Sequence, residues 1–173
     1  MRTSSRALEQ LKKHEAFRDR AYRNFVGEPW TIGYGTTTIK GEPVKEGMRC
    51  TKEQALEWFR EDVKKFEAIV DKAFKGIKFK QNQYDALVMF AYNNGSFAGA
   101  PTLVKTIKKN PNDEPPIRAA FLLYVKIKAD KDGIDNDGDG LVDEPGEMRV
   151  LQGLVNRRNY EIDWYFGKLD NLL

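Results

Sequence analysis

Residues 14–37 read HEAFRDRAYRNFVGEPWTIGYGTT, and the change of pattern within them decides the fold. The first two residues close a helical segment. Ser4 or Ser5 can cap its start, and Leu8, Leu11 and Glu15 recur at i, i+3 and i+7 along one face. Glu15 therefore continues an apolar stripe, and its carboxyl is expected to point toward the interior or a cleft wall. Further on, Trp30–Tyr34 (WTIGY) and Thr36–Ile39 (TTTI) are β-branched and aromatic around Gly33 and Gly35, which predicts a short hairpin. The GEPVKEG that follows is loop-rich.

Working outward, Thr51 and Gln54 form a capping box that opens a long helix. Ala55, Phe59, Val63, Phe66, Val70 and Phe74 keep helical spacing until Gly76 ends it. Gln81–Asn94 is predicted as a second helix, apolar almost all round from Ala86 to Tyr92 and hence central, and Asn94-Gly95 stops it. Pro101 starts a helix to about Lys109, PNDEPP reads as a turn, and Ile117 to about Lys126 reads as helix with Phe121, Leu122 and Val125 inward. Met148–Phe166 is expected to form the last helix. The pattern is α-rich with one small β element, an α+β protein.

With 40% apolar and 12% aromatic residues, a chain of 173 residues can bury a core, so one domain is expected and general disorder is excluded. The longest apolar run, ALVMFAY, is too short to span a bilayer. The N-terminus lacks the features of a signal peptide, so the expected protein is made in the cytoplasm and needs help to leave it. The lone Cys50 excludes an intrachain disulfide and reads as a small buried residue.

The formal net charge of +3 conceals a split. Asp130 to Glu147 holds eight acids and one base, net −7, leaving +10 on the remainder. Such a basic body suits a polyanionic partner, nucleic acid or cell wall. No basic-aromatic motif supports nucleic acid.

Within the acidic segment, DGIDNDGDGLVDE sets Asp135, Asp137 and Asp139 at positions 1, 3 and 5 of a loop with Gly140 at 6. This spacing begins a calcium loop. Leu141 can add its backbone carbonyl and Val142 faces inward. Gly146 stands where the usual closing glutamate would be, so Glu144, or else Asp143, must complete the sphere. Without a cation these carboxylates repel one another. A structural calcium ion that staples the excursion is the expected cofactor.

Taken together, HE-x6-AYR-x7-WTIGYGT, QNQYDALVMFAYNNGSF, APTLVKTIKK and GLVNRRNYEIDWY resemble, in the same order, the phage-type lysozymes. This is the muramidase family of tailed-phage endolysins (glycoside hydrolase family 24). The acidic loop sits between the last two stretches as an insertion. The resemblance implies a mostly helical, lysozyme-like α+β fold. It should have a small β-containing lobe at about 15–50, a connecting helix at about 51–75 and a helical lobe at about 76–173, with the loop inserted at about 130–147. The lobes would flank a sugar cleft. The implied partner is peptidoglycan glycan, acted on by a monomer with no nucleic-acid or membrane partner, in the cell wall after release aided by a holin or other exporter.

The resemblance also implies site residues. Glu15 falls on the family's general acid, and apolar surroundings would keep it protonated. Thr31 falls on the threonine that helps place water, one residue further on because of the extra residue in VGEPW. The histidine of the family's GYGHT is missing from Gly33-Tyr34-Gly35-Thr36-Thr37. Nine residues after Glu15, Asn24 stands where the family has its second carboxylate. Glu28 could replace that carboxylate, or Asn24 and Thr31 could hold water or an acetamido group; Asp19 is a further candidate. A lytic transglycosylase, or a wall-binding domain with little turnover, also stays open. Arg157 and Arg158 read as packing the last helix and pairing with acids. His14 reads as exposed or structural.

Overall fold

The computed structural model describes residues 1–23, 27–128, 134, 135, 138 and 148–169. Its helices are α1 (Ser5–Glu15), α2 (Lys52–Ala73), α3 (Gln81–Asn94), α4 (Pro101–Lys109), α5 (Glu114–Phe121) and α6 (Gln152–Tyr165). Among the described residues, six short strands form three antiparallel pairs: β1 (Arg18–Tyr22) with β2 (Thr31–Gly33), β3 (Thr38–Ile39) with β4 (Glu42–Pro43), and β5 (Lys126–Lys128) with β6 (Met148–Val150).

α3 forms the centre. Residues from Gln83 to Tyr92 are all buried, as its all-round apolar pattern requires. It packs against α6 on one side and α2 on the other. Phe90 is fully buried, stacked on Phe97 and edge-on to Phe121 and Tyr124. The Thr51 capping box of α2 is complete, with Gln54 N–H donating to Thr51 Oγ1 and Thr51 N–H donating to Gln54 Oε1. α1 is pinned to this body at its first turn. Ser4 Oγ accepts from Ala7 N–H at 3.2 Å, a cap that stabilises by about 1 kcal/mol. The same Ser4 donates its N–H and hydroxyl to buried Asp85 of α3 at 2.9 and 2.6 Å. Thr3 bonds likewise to Glu67 of α2. The last turn of α1, with Glu15, is thereby fixed relative to the helical body.

The β elements differ from the sequence reading in two places. The hairpin at Ile32–Thr36 forms as a tight bridge, but the longer partner of β2 is β1, a strand the charged RDRAY did not suggest. The second change lies at the other end. The helix expected over Ile117–Lys126 begins earlier, at Glu114, because Pro115 and Pro116 occupy first-turn positions where a missing N–H does no harm. It also ends at Phe121. Met148–Val150 is not helix but strand, pairing Lys126 with Val150 and Lys128 with Met148, and Leu151 N–H extends the contact to Val125 C=O at 2.9 Å. α6 therefore starts only at Gln152. Among the described residues, no helix is long and apolar enough to cross a membrane.

Candidate active site

Glu15 is the last residue of α1, and the chain turns sharply after it. Ala16 takes φ +50°, uncommon for a residue with a Cβ, while its N–H still closes the helix on Lys12 C=O at 3.1 Å. Glu15 thus sits where helix gives way to β1. Its side chain is 19% exposed, which agrees with a carboxyl facing inward or into a cleft wall.

The surroundings of that carboxyl are not the apolar ones expected. Arg157 of α6 donates Nη2 to Glu15 Oε1 at 2.6 Å, and its own side chain is only 14% exposed. Oε2 accepts no hydrogen bond from the described residues. It faces Gly35, where a Cβ would lie 3.3 Å from Oε2 and 3.4 Å from Tyr92 Cε1. Gly35 also needs its φ of +94°, so both backbone shape and space demand glycine there. Gly33 is required for a similar reason: a Cβ would meet Ala55 Cβ of α2 at 2.9 Å.

Two tyrosines complete this wall. Tyr92 of α3 donates to Tyr34 C=O at 2.7 Å, locking hairpin to central helix. Burial, then the nearby charges of Asp62 and Glu15, push its hydroxyl far above the usual tyrosine range. The Tyr22 hydroxyl of β1 is raised by burial and then by the charge of Glu15, and the Arg18 guanidinium lies over its ring.

Behind Arg157 lies a second layer of charge. Glu161 Oε1 accepts from Arg157 Nε at 3.4 Å and from Arg158 Nη2 at 2.8 Å. Arg158 is fully buried over the Phe90 ring and also donates to Asn93 Oδ1 at 2.8 Å. Arg158 Nε lies 2.8 Å from Glu161 Oε2 but is too poorly aligned for a hydrogen bond, and Nη1 has no partner among the described residues. Burial pushes the Glu161 carboxyl up, against the pull of Arg158 and Arg157, and pushes the Arg158 guanidinium down.

The other candidates are less closely gathered. Thr31 opens β2 opposite Tyr22 and donates to Pro29 C=O at 3.3 Å. Glu28 stands in an exposed bend and makes no polar contact with the described residues. Asp19 is exposed on β1, where its charge is felt by buried Cys50. Asn24 lies outside the described residues. So do Asp137, Asp139, Leu141, Asp143 and Glu144 of the calcium reading; of that set only Asp135 is described, its Oδ1 accepting from Gly138 N–H at 2.7 Å. His14 is exposed, edge-on to Tyr160 and bonded to Gln10 at 3.0 Å, a structural role. Its imidazole is lowered by burial and then by Arg157. A cavity of about 560 Å³ between the N-terminus and α2, lined by Arg2, Arg60 and Glu67, does not reach Glu15.

One half-buried carboxyl, oriented through one oxygen and accepting nothing at the other from the described residues, is an arrangement suited to proton transfer. The phage lysozyme profile matches residues 12–161, a span that takes in Glu15 and ends on Glu161. The chain belongs to the phage lysozyme family. It is 36% identical over 135 residues to the endolysin of Salmonella phage P22, covering 76% of this chain and 89% of that one. It is 33% identical over 156 residues to the SAR-endolysin of Pseudomonas phage phiKMV, covering 90% and 83%. The solved endolysin from Escherichia coli O157:H7 phage FAHEc1 superposes with a TM-score of 0.77 at 34% identity, covering 97% of this chain and 95% of that one. The fold is therefore the lysozyme-like α+β fold expected, and the enzyme class is glycoside hydrolase of lysozyme type.

Membership gives the missing histidine of GYGHT a meaning. At its position Thr36, 1% exposed, donates to buried Asp62 of α2 at 2.7 Å, so a hydroxyl ties the hairpin to the connecting helix. The sequence reading did not identify Asp62, Tyr22, Tyr92 or Glu161 as neighbours of the site, nor Arg157 as the partner of Glu15. The i, i+4 spacing of Arg157 and Glu161 and the i, i+3 spacing of Arg158 and Glu161 are the local signals for that network.

Proposed function

We propose that this chain hydrolyses peptidoglycan at the β-1,4 bond between N-acetylmuramic acid and N-acetylglucosamine, with Glu15 as general acid. The observation that carries this reading is the Glu15 carboxyl itself, at the helix end with Oε1 held by Arg157 at 2.6 Å and Oε2 turned to the close approach of Gly35. In this scheme Glu15 protonates the glycosidic oxygen, and Thr31, with Asn24 or Glu28, positions the attacking water or the substrate's acetamido group. The protein acts as a monomer on the wall, reached from the cytoplasm through a holin or another exporter. The basic body favours the anionic wall.

Asn24 motivates the second reading. An amide is no base and carries no charge to stabilise an oxocarbenium ion, so the muramic 6-hydroxyl could take the place of water, or turnover could be low in a domain that chiefly binds wall. Mass spectrometry of released muropeptides separates the cases. Reducing ends are expected. 1,6-Anhydro ends would replace hydrolysis by transglycosylation, and absence of product would leave only wall binding. In the same assay Asn24→Asp should raise turnover about tenfold or more. No gain would assign the second role to Glu28, whose Gln variant should then be inactive.

We also propose that calcium is bound through Asp135, Asp137, Asp139, the Leu141 carbonyl and Glu144. Hard oxygen donors at this spacing fit a hard cation, and the Asp135–Gly138 turn fits the start of such a loop. The ion would be structural and supply no chemistry to catalysis. A chelator should lower the melting temperature and calcium restore it. Equal melting of an Asp137→Ala variant with and without calcium is the matching expectation; a chelator without effect on the unaltered protein removes the site.

A further inference from the structure

The deepest acid near the site is Glu161, 1% exposed, which accepts from Arg157 Nε while Glu15 accepts from Nη2 of the same guanidinium. We infer that Glu161 is a positioning residue: it anchors the Arg157 guanidinium through Nε, so that Nη2 is aimed at Glu15, and divides that guanidinium's charge between two carboxylates. The inference rests on Glu15 being the acid.

The geometry supports it from both ends. A long arginine side chain ordinarily keeps rotamer freedom. Here Nε and Nη2 are engaged at once, with Glu161 Oε1 at 3.4 Å and Glu15 Oε1 at 2.6 Å. Glu161 is itself immobilised by Arg158, which is fully buried against Phe90 and tied to Asn93 of α3. The relay therefore runs from the central helix to the catalytic edge: Asn93, Arg158, Glu161, Arg157, Glu15. The ionisable groups facing it are His14 and Glu15 on α1, Tyr22 on β1, Tyr92 on α3, and Arg157 and Arg158 on α6 itself. The only acids pairing with Arg157 among the described residues are Glu15 and Glu161.

The test is the pH profile of kcat/KM on purified peptidoglycan. Glu161→Gln keeps an oxygen for Arg157 but removes the negative charge. Arg157 then acts on Glu15 alone and favours its ionised form, so the alkaline limb should move to lower pH by about one unit, a tenfold loss at a fixed pH on that limb. Arg157→Met should move the limb the opposite way, and Glu161→Asp should restore it toward the native position. A limb that stays in place in Glu161→Gln, with only a lower melting temperature, would assign Glu161 a purely structural role and overturn the inference. Should that variant not fold, the unaltered protein still decides. Its Arg157 Nε–H proton should exchange slowly and resonate apart from exposed arginines, and fast exchange would overturn the inference as well. Full activity in Glu15→Gln would instead fail the acid assignment beneath it, a separate outcome.

Discussion

Glu15→Gln should lower kcat/KM on purified peptidoglycan by about 10²–10⁴-fold, the range carried by a single general acid. Glutamine fills the same space and accepts the Arg157 bond through its amide oxygen, so the fold should be little disturbed. Its amide nitrogen, standing where Oε2 faces Gly35, holds no proton that a leaving sugar oxygen can take. The melting temperature should therefore stay within a few degrees of the native value while lysis disappears. The measurement is zymography and turbidity loss beside a thermal melt. Retained lysis in a folded variant would remove Glu15 from the mechanism, and loss of both lysis and fold would mean that its part is structural.

The second large effect concerns stability. Arg158→Leu should destabilise the fold by about 3–5 kcal/mol, because it strands the Glu161 carboxylate in the interior with a single distant partner. For a chain of this size that corresponds to a fall in melting temperature of roughly 10 °C or more. Arg158→Leu/Glu161→Leu should recover much of the loss, since no carboxylate is then stranded, although Asn93 Oδ1 and Arg157 Nε each lose a partner. The pH dependence has a definite sign. Burial already raises the Glu161 carboxyl, and Arg158 is the first of the charges that oppose it. Without Arg158 the folded state holds the proton more tightly than the unfolded chain does. Its stability is then fully present below the ordinary glutamate range and declines as pH rises toward the elevated folded value. Melts recorded from pH 4 to 8 should show the single variant's deficit growing with pH and the double variant's remaining flat. A deficit independent of pH would mean that lost packing against Phe90, not stranded charge, is responsible.

Several elements are legible in the sequence because neighbours a few residues apart decide them. The Thr51 capping box, the Asn94-Gly95 stop and the all-apolar Ala86–Tyr92 each depend on neighbours a few residues apart, and each is found in place. What the sequence did not disclose is contact at long range. Glu15 and Arg157 meet across 142 residues, so an apolar stripe at i, i+3, i+7 could not announce that its last member would face a guanidinium. β5 and β6 were hidden for the same reason: each has three residues, too few for a visible alternation, and they find one another across a long intervening segment. Pro115 and Pro116 misled in the opposite direction, because proline breaks a helix interior yet is accommodated in its first turn.

That small β5–β6 clasp has a consequence for how the molecule tolerates change. The two ends of the acidic insertion leave the helical body side by side, already joined by a ladder of their own. With the two ends already held together, doubling the length of the chain between them should cost only about 0.6 kcal/mol in closure entropy. An insert of another length joined to β5 and β6 is therefore expected to leave Glu15 and α6 in their places, apart from whatever stability a bound calcium ion contributes.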